Sequence, residues 1–223
     1  MLSQTMVARN SLRQSDRIAP PAAFISLGGA IELMGTPISF ARNAEIYFES
    51  ESADYLYKVE SGMVRTFKVL ADGRRQIGCF YWPGDVFGLE GDEHTFSAEA
   101  VVNSRVSVIK RTALFDSRDP HIARQLWGMA AAELQRAQDH TMLLVKSAQE
   151  RVAAFLMEMS KRSSGNNVVD LPMSRQDIAD YLGLTIETVS RTLSHLESCG
   201  AISLQSARRI MLCSHGTLRH FNA

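Results

Sequence analysis

The spacing of hydrophobic positions changes along the chain and divides it into segments. Between about residues 38 and 110, apolar side chains fall in short or alternating runs at 45–49, 55–59, 62–70, 76–81, 97–100 and 104–110. Runs of this length, separated by Ser61-Gly62, Asp72-Gly73 and Pro83-Gly84, predict strands of a β sandwich or barrel. Asp72-Gly73 between two strand-like runs is a strong hairpin signal, because a tight hairpin turn needs positive φ. From 120 to 146 the period becomes helical: Ile122, Leu126, Met129, Ala130, Leu134, Ala137, Thr141, Leu144 and Val145 recur at three- and four-residue steps. No Gly or Pro follows Gly128 in this stretch, which predicts one helix of about seven turns. Residues 148–160 read as a second amphipathic helix, and 163–167 as a loop. Residues 1–26 show neither period and are expected to form a mobile arm.

The segment PMSRQDIADYLGLTIETVSRTLSHLE (172–197) carries the most specific pattern. Ser174 is a good N-cap with Asp177 three residues on, and Gly183 ends the short helix that follows. A second helix starts with Thr185 as its cap. Ile178, Ala179, Leu182, Leu184, Val189 and Leu193 lie on the faces that must meet. Ala179 keeps the two helices close at their crossing, and Gly183 supplies the positive φ of the tight turn. A small residue, a turn glycine and then a β-branched residue at this spacing define a helix-turn-helix. Helical geometry puts Thr185, Ile186, Glu187, Ser190 and Arg191 near the N-terminal outer surface of the second helix, where they can reach base edges. Arg191 suits guanine O6 and N7, Glu187 can accept from a cytosine amino group, and Ser190 can serve several bases. Ser174, Arg175, Gln176, Thr185 and Thr188 are the expected backbone or flanking contacts. Residues 200–204 and 208–212 flank 205–207 as a small hairpin, a wing that would bring Arg208 and Arg209 beside the phosphates.

Composition changes this picture only in part. The 223 residues carry 24 basic and 24 acidic side chains, so bulk charge does not announce a nucleic-acid partner. From 151 to 223 there are eight basic and six acidic residues. Such a mildly basic domain is expected to need two copies for useful DNA affinity. The long helix offers the place for a homodimer, with Leu126, Ala130, Glu133, Ala137, Thr141 and Leu144 as the expected interface and Arg136 and Asp139 as flanking charges. The apolar fraction supplies a core without staples. Cys79, Cys199 and Cys213 are too few and too scattered for a disulfide framework, and none lies in a Cys-x-x-Cys pair, so a reducing cytoplasm is expected. His94, His121, His140, His195, His215 and His220 show no ligand spacing and are expected to be surface or satisfied histidines. No metal or other cofactor is expected. Nor is a membrane span, since no run of about 18 apolar residues occurs. Paired carboxylates, a Ser-His-Asp order and a phosphate-cradling glycine loop are also missing, which argues against an enzyme.

The order of elements over residues 40–215 resembles the CRP/FNR superfamily of bacterial regulators. The resemblance implies an α+β fold: an N-terminal antiparallel β-roll of the jelly-roll, cyclic-nucleotide-binding type (27–118), a long dimerisation helix (119–147) and a C-terminal winged helix-turn-helix (148–223). DGRRQIGCFYWPGDVFGLE (72–90), ERVAAFL (150–156) and LPMSRQDIADYLGLTIETVSRTL (171–193) are most similar to the FixK branch, whose members resemble the fumarate-nitrate regulator. Glu187, Ser190 and Arg191 match the motif by which that regulator reads TTGAT half-sites. Where the cAMP receptor has an arginine just before the matching glutamate, this chain has Ile186.

The sensor residues depart from those relatives. In GDVFGLEGDEHTFSAEAV (84–101), Phe96 stands where a cyclic-nucleotide cradle carries its phosphate-binding arginine, so cAMP binding is not expected. The N-terminal cysteine cluster of an iron-sulfur centre is absent, because the first cysteine is Cys79, and residues 1–24 hold no cysteine or histidine and so no obvious haem ligand. The resemblance thus implies an activator of the FixK type on promoter DNA, serving low-oxygen or nitrogen-fixation genes. The alternative is a regulator gated by a small molecule other than cAMP in the β-roll. In the family the hairpin matching Asp72, Arg74 and Arg75 faces RNA polymerase. Both arginines are therefore expected to contact polymerase, and their removal to leave DNA affinity unchanged.

Overall fold

A computed structural model describes residues 35–162 and 167–221. The expected arm at 1–26 lies outside the described residues, as does most of the 163–167 loop.

Among the described residues the N-terminal part has eight strands: β1 (Thr36–Phe40), β2 (Glu45–Tyr47), β3 (Tyr55–Ser61), β4 (Val64–Val69), β5 (Arg75–Tyr81), β6 (Val86–Phe87), β7 (Ser97–Ala100) and β8 (Ser104–Lys110). They pair into two antiparallel four-stranded sheets, ordered β1-β8-β3-β6 and β2-β7-β4-β5. The β4–β5 hairpin turns at Asp72 and Gly73, with Gly73 at φ 82° as the Asp-Gly signal requires. The roll is filled by side chains. Tyr47, Tyr57, Val59, Val64, Tyr81, Phe87, Ala98 and Val106 form one buried cluster between the sheets.

After a short helix α1 (Arg111–Phe115), the chain enters α2 (Pro120–Leu144). Pro120 sits in its first turn and the Asp119 carboxylate accepts from the His121 N–H at 2.8 Å, so the start is both pre-set in φ and capped. One side of α2 packs on its own β-roll: Ile122 and Met129 join Leu56, Val86, Ile109 and Leu114 in a second cluster. The C-terminal part comprises α3 (Ala148–Arg162), β9 (Val168–Asp170), α4 (Arg175–Leu182), α5 (Ile186–Ser198), β10 (Ile202–Leu204), β11 (Arg209–Leu212) and α6 (His215–Phe221). Strands β10 and β11 are the expected wing, and β9 adds a third strand to it, in the order β10-β11-β9. The elements β1, β6, α1, β9 and α6 lack a readable pattern because each is too short to repeat its period more than once or twice.

The two parts share one hydrophobic core. Met63, Ile77, Phe80 and Val101 of the β-roll are buried in the same cluster as Phe155, Ile178, Tyr181 and Leu182. No helix among the described residues is long and apolar enough to cross a membrane.

Candidate nucleic-acid interface

Local chemistry builds the helix-turn-helix. The Ser174 hydroxyl accepts from the Asp177 N–H at 3.0 Å while the Asp177 carboxylate accepts from the Ser174 N–H at 2.9 Å, a closed capping box that fixes the start of α4. Gly183 ends α4 at φ 61° and ψ 39°, a left-handed conformation that costs any residue with a Cβ. The Leu184 N–H still reaches the Ala179 carbonyl at 2.9 Å, which holds the turn against α4. Thr185 then caps α5 by accepting from the Thr188 N–H at 3.2 Å. Ala179 and Val189 are fully buried where the helices cross.

This packing leaves Ile186, Glu187, Ser190 and Arg191 exposed together on the N-terminal half of α5. Glu187 lies in the first turn, where its own backbone N–H and the Thr185 hydroxyl, followed by Arg191, hold its carboxyl below the usual range. It is therefore an ionised, acceptor-only group near neutral pH. Neither Ser190 nor Arg191 is committed to a hydrogen bond or ion pair among the described residues. A guanidinium, a carboxylate and a hydroxyl one helical turn apart on a protruding helix can read a donor–acceptor pattern in a major groove.

The flanking residues divide by their surroundings. Arg208 and Arg209 are exposed on the wing, and the contact of Arg209 with Asp170 is loose at 3.7 Å between two exposed groups. Both arginines remain available to phosphates. The Ser174 and Thr185 hydroxyls are used as caps, and Gln176 donates to Asp180 at 2.6 Å. Arg175 is half-buried, with burial pushing its pKa down and Nη1 lacking a partner among the described residues.

Packing within the chain divides the residues of the expected dimer face. Ala130, Ala137 and Thr141 are exposed, but Leu126, Glu133 and Leu144 are turned toward their own chain. Leu126 packs against the cluster beneath α2. Glu133 accepts from the Tyr81 hydroxyl at 2.7 Å, and Arg136 beside it pairs with Asp85 at 3.4 Å. Leu144 lies against the Gly183 turn. The open face instead carries Trp127, Leu134, Met142 and Val145, each more than half exposed. Trp127, Leu134 and Thr141 recur every seven residues with Ala130 and Ala137 between them, a heptad spacing that marks this face in the sequence.

The hairpin expectation also changes. Arg74 is 77% exposed and, among the described residues, pairs only with Asp72, at 2.7 Å, so these two residues do form a solvated turn. Arg75 does not belong with them, because its guanidinium is engaged by Asp177 and Asp180 of α4. Of the two arginines expected to face a polymerase, Arg74 alone has its guanidinium out in solvent, while that of Arg75 is held against α4.

Inside the β-roll, the Tyr47 and His94 rings stack at 3.5 Å, Tyr57 stacks on Phe87 at 5.2 Å and Tyr81 lies 5.0 Å from Phe87. His94 is 2% exposed, with Nδ1 paired to Glu90. It is a core residue that no spacing rule flags. Phe96 packs against Gly78, where a Cβ would come within 3.0 Å of its ring. Burial pushes the Cys79 thiol up to about 12, the environment of an unreactive core cysteine. Cys199 and Cys213 are exposed, the former 3.8 Å from the His195 ring.

Comparison with known proteins agrees with this organisation. Residues 37–118 match the cyclic nucleotide-binding domain family, and residues 150–221 match the Crp-like helix-turn-helix domain family. The chain is 49% identical to the nitrogen fixation regulation protein FixK of Azorhizobium caulinodans over 94% of this chain and 86% of that one. It is 41% identical to FixK of Rhizobium meliloti, over 78% and 82% of the two chains. The solved structure of FixK2 from Bradyrhizobium japonicum superposes with a TM-score of 0.81 at 48% identity, covering 85% of this chain and 98% of that one.

Proposed function

The chain belongs to the FixK-type branch of the CRP/FNR transcription regulators, with a helix-turn-helix DNA-binding domain, and from that premise we propose that it is a homodimeric activator reading a TTGAT-N4-ATCAA-like palindrome. The observation that carries this reading is the joint exposure of Glu187, Ser190 and Arg191 on the outer N-terminal face of α5. Two such helices must lie about 34 Å apart to enter successive major grooves. The apolar stripe along Trp127, Ala130, Leu134, Ala137, Thr141 and Val145 is suited to pairing α2 with its two-fold mate at that separation. The names of the relatives point to nitrogen-fixation genes as targets, and low-oxygen metabolism and a cytoplasmic setting are part of the same proposal. Arg74 and Asp72 at the hairpin tip would meet RNA polymerase through charge-assisted hydrogen bonds.

The aromatic filling of the β-roll and the apolar Phe96 support a regulator that does not take cAMP. A second reading, gating by another small polar molecule, rests on the buried Tyr47 Oη and His94 Nε2, which lack partners among the described residues. A gel-shift assay on the palindrome, with and without candidate effectors, tests both readings. Tight binding without effector supports the first, effector-dependent binding supports the second, and failure to prefer the palindrome over a scrambled duplex refutes the DNA target.

A further inference from the structure

We propose that Arg75 of the β-roll, backed by Arg65, positions the helix-turn-helix for specific DNA by holding the carboxylates of α4, without itself touching DNA. The proposal rests on the DNA-binding reading above. It starts from two acidic residues, Asp177 and Asp180, three positions apart on α4 and so on one helix face. That face is turned toward the β-roll, where Asp177 is 4% exposed. A carboxylate at such a site needs compensating charge and hydrogen bonds.

Two neighbouring strands provide them. Arg75 Nη2 lies 2.5 Å from Asp177 Oδ1, and Arg75 Nε lies 2.8 Å from Asp180 Oδ2. One guanidinium thus spans both carboxylates with two of its fork donors, a geometry that fixes angle as well as distance. Arg65 Nη1 reaches the same Asp177 oxygen at 2.9 Å, while its Nη2 is anchored on Glu99 at 2.7 Å. At the other end of α4, the Tyr181 carbonyl accepts from His140 of α2 at 2.8 Å and from Gln76 of β5 at 3.4 Å. The helix is therefore held at both ends by the roll and α2.

The consequence for DNA follows from the covalent and packing order. Asp177 also closes the capping box of α4, so its position sets the helix start. Helix α4 carries α5 rigidly through the Gly183 turn and the buried Ala179 and Val189. Loss of the Arg75 fork leaves two neighbouring carboxylates with one guanidinium fewer, and α4 gains alternative orientations on the sheet. A binding-competent fraction f multiplies the affinity by that fraction, and in a dimer both copies must comply. With f at about one in three per copy, specific binding falls about tenfold. Arg74, one residue earlier, has no part in this clamp.

The test uses the full chain and fluorescence anisotropy on a palindromic and a scrambled duplex over a salt series. Arg75→Ala is expected to weaken palindrome binding about tenfold, leave scrambled-duplex binding and the salt slope unchanged, and keep the wild-type circular dichroism. Arg74→Ala should bind like wild type. Asp180→Asn is isosteric, and combined with Arg75→Ala it should give a loss smaller than the product of the two single effects. A phosphate contact by Arg75 would instead lower both affinities, flatten the salt slope and be independent of Asp180, and that result overturns the proposal. So does Arg75→Ala with wild-type affinity while the wild type discriminates the palindrome. A wild type that cannot tell the duplexes apart overturns the DNA reading itself and this proposal with it.

Discussion

Replacing Arg191 by alanine tests the base-reading face most directly. The guanidinium is exposed one turn beyond Glu187 and has no intrachain ion pair among the described residues, so its removal should cost the fold almost nothing. A bidentate guanine contact is worth about 1–3 kcal/mol of discrimination. A two-fold dimer on a palindrome makes that contact twice, so the loss doubles to about 2–6 kcal/mol, or roughly 30-fold to 20,000-fold in affinity. The lower part of the range is expected, about a hundredfold, because water can reach the abandoned guanine edge and satisfy its acceptors. Anisotropy titrations on palindromic and scrambled duplexes give the ratio, and a salt series separates mechanisms. A base contact leaves the slope of log affinity against log salt unchanged, whereas a phosphate contact in each half-site would reduce it by about 1.8. Equal losses on both duplexes with a flattened slope would reduce Arg191 to a phosphate contact and refute the assignment.

Ala137→Glu places a charge on the open apolar face of α2 opposite its own symmetry mate, a like-charge juxtaposition worth several kcal/mol. It should yield monomers in analytical ultracentrifugation, and a persistent full dimer would locate the interface elsewhere. Arg74→Ala is expected to lower in-vitro transcription from a promoter overlapping the −35 position while footprinting shows normal occupancy, and unchanged transcription would return the hairpin tip to plain solvated structure. For Asp177, burial raises the carboxyl pKa, but the Ser174 N–H, Arg65, the Ser174 hydroxyl and Arg75 together outweigh it and hold the group below its ordinary 3.8. Its stabilisation is therefore complete above the ordinary aspartate range and is lost as pH falls through the lower folded value. Denaturant titrations should show an acid limb that is shallower in Asp177→Asn, and identical limbs would contradict the shift.

The helix-turn-helix was legible because its determinants are local. A cap, its N3 acid, a turn glycine and the apolar spacing all lie within 26 residues of sequence, and the structure places each where the pattern requires. The strand runs and the Asp-Gly hairpin were legible for the same reason. The two sides of α2 were not separable in the sequence because both are apolar: one meets its own β-roll and the other stays open, and a three-four periodicity merges them. Asp177 was readable as a cap but not as an ion-pair acceptor, since Arg65 and Arg75 are more than a hundred positions away and no local pattern links them. The aromatic filling of the roll escaped notice because single tyrosines in strands point inward or outward only once register is known.

The shared cluster that joins Ile77 and Phe80 to Tyr181 and Leu182 bears on how such regulators can be recombined. The DNA-binding segment is not an interchangeable cassette: cut at residue 148, it would expose the apolar and acidic surface that β4 and β5 now cover. A chimera that grafts a different sensor onto this reader must also bring a sheet with apolar side chains at the positions of Ile77 and Phe80 and guanidinium groups facing Asp177. Sensor exchange onto this reader is thereby constrained by the surface between the β-roll and α4.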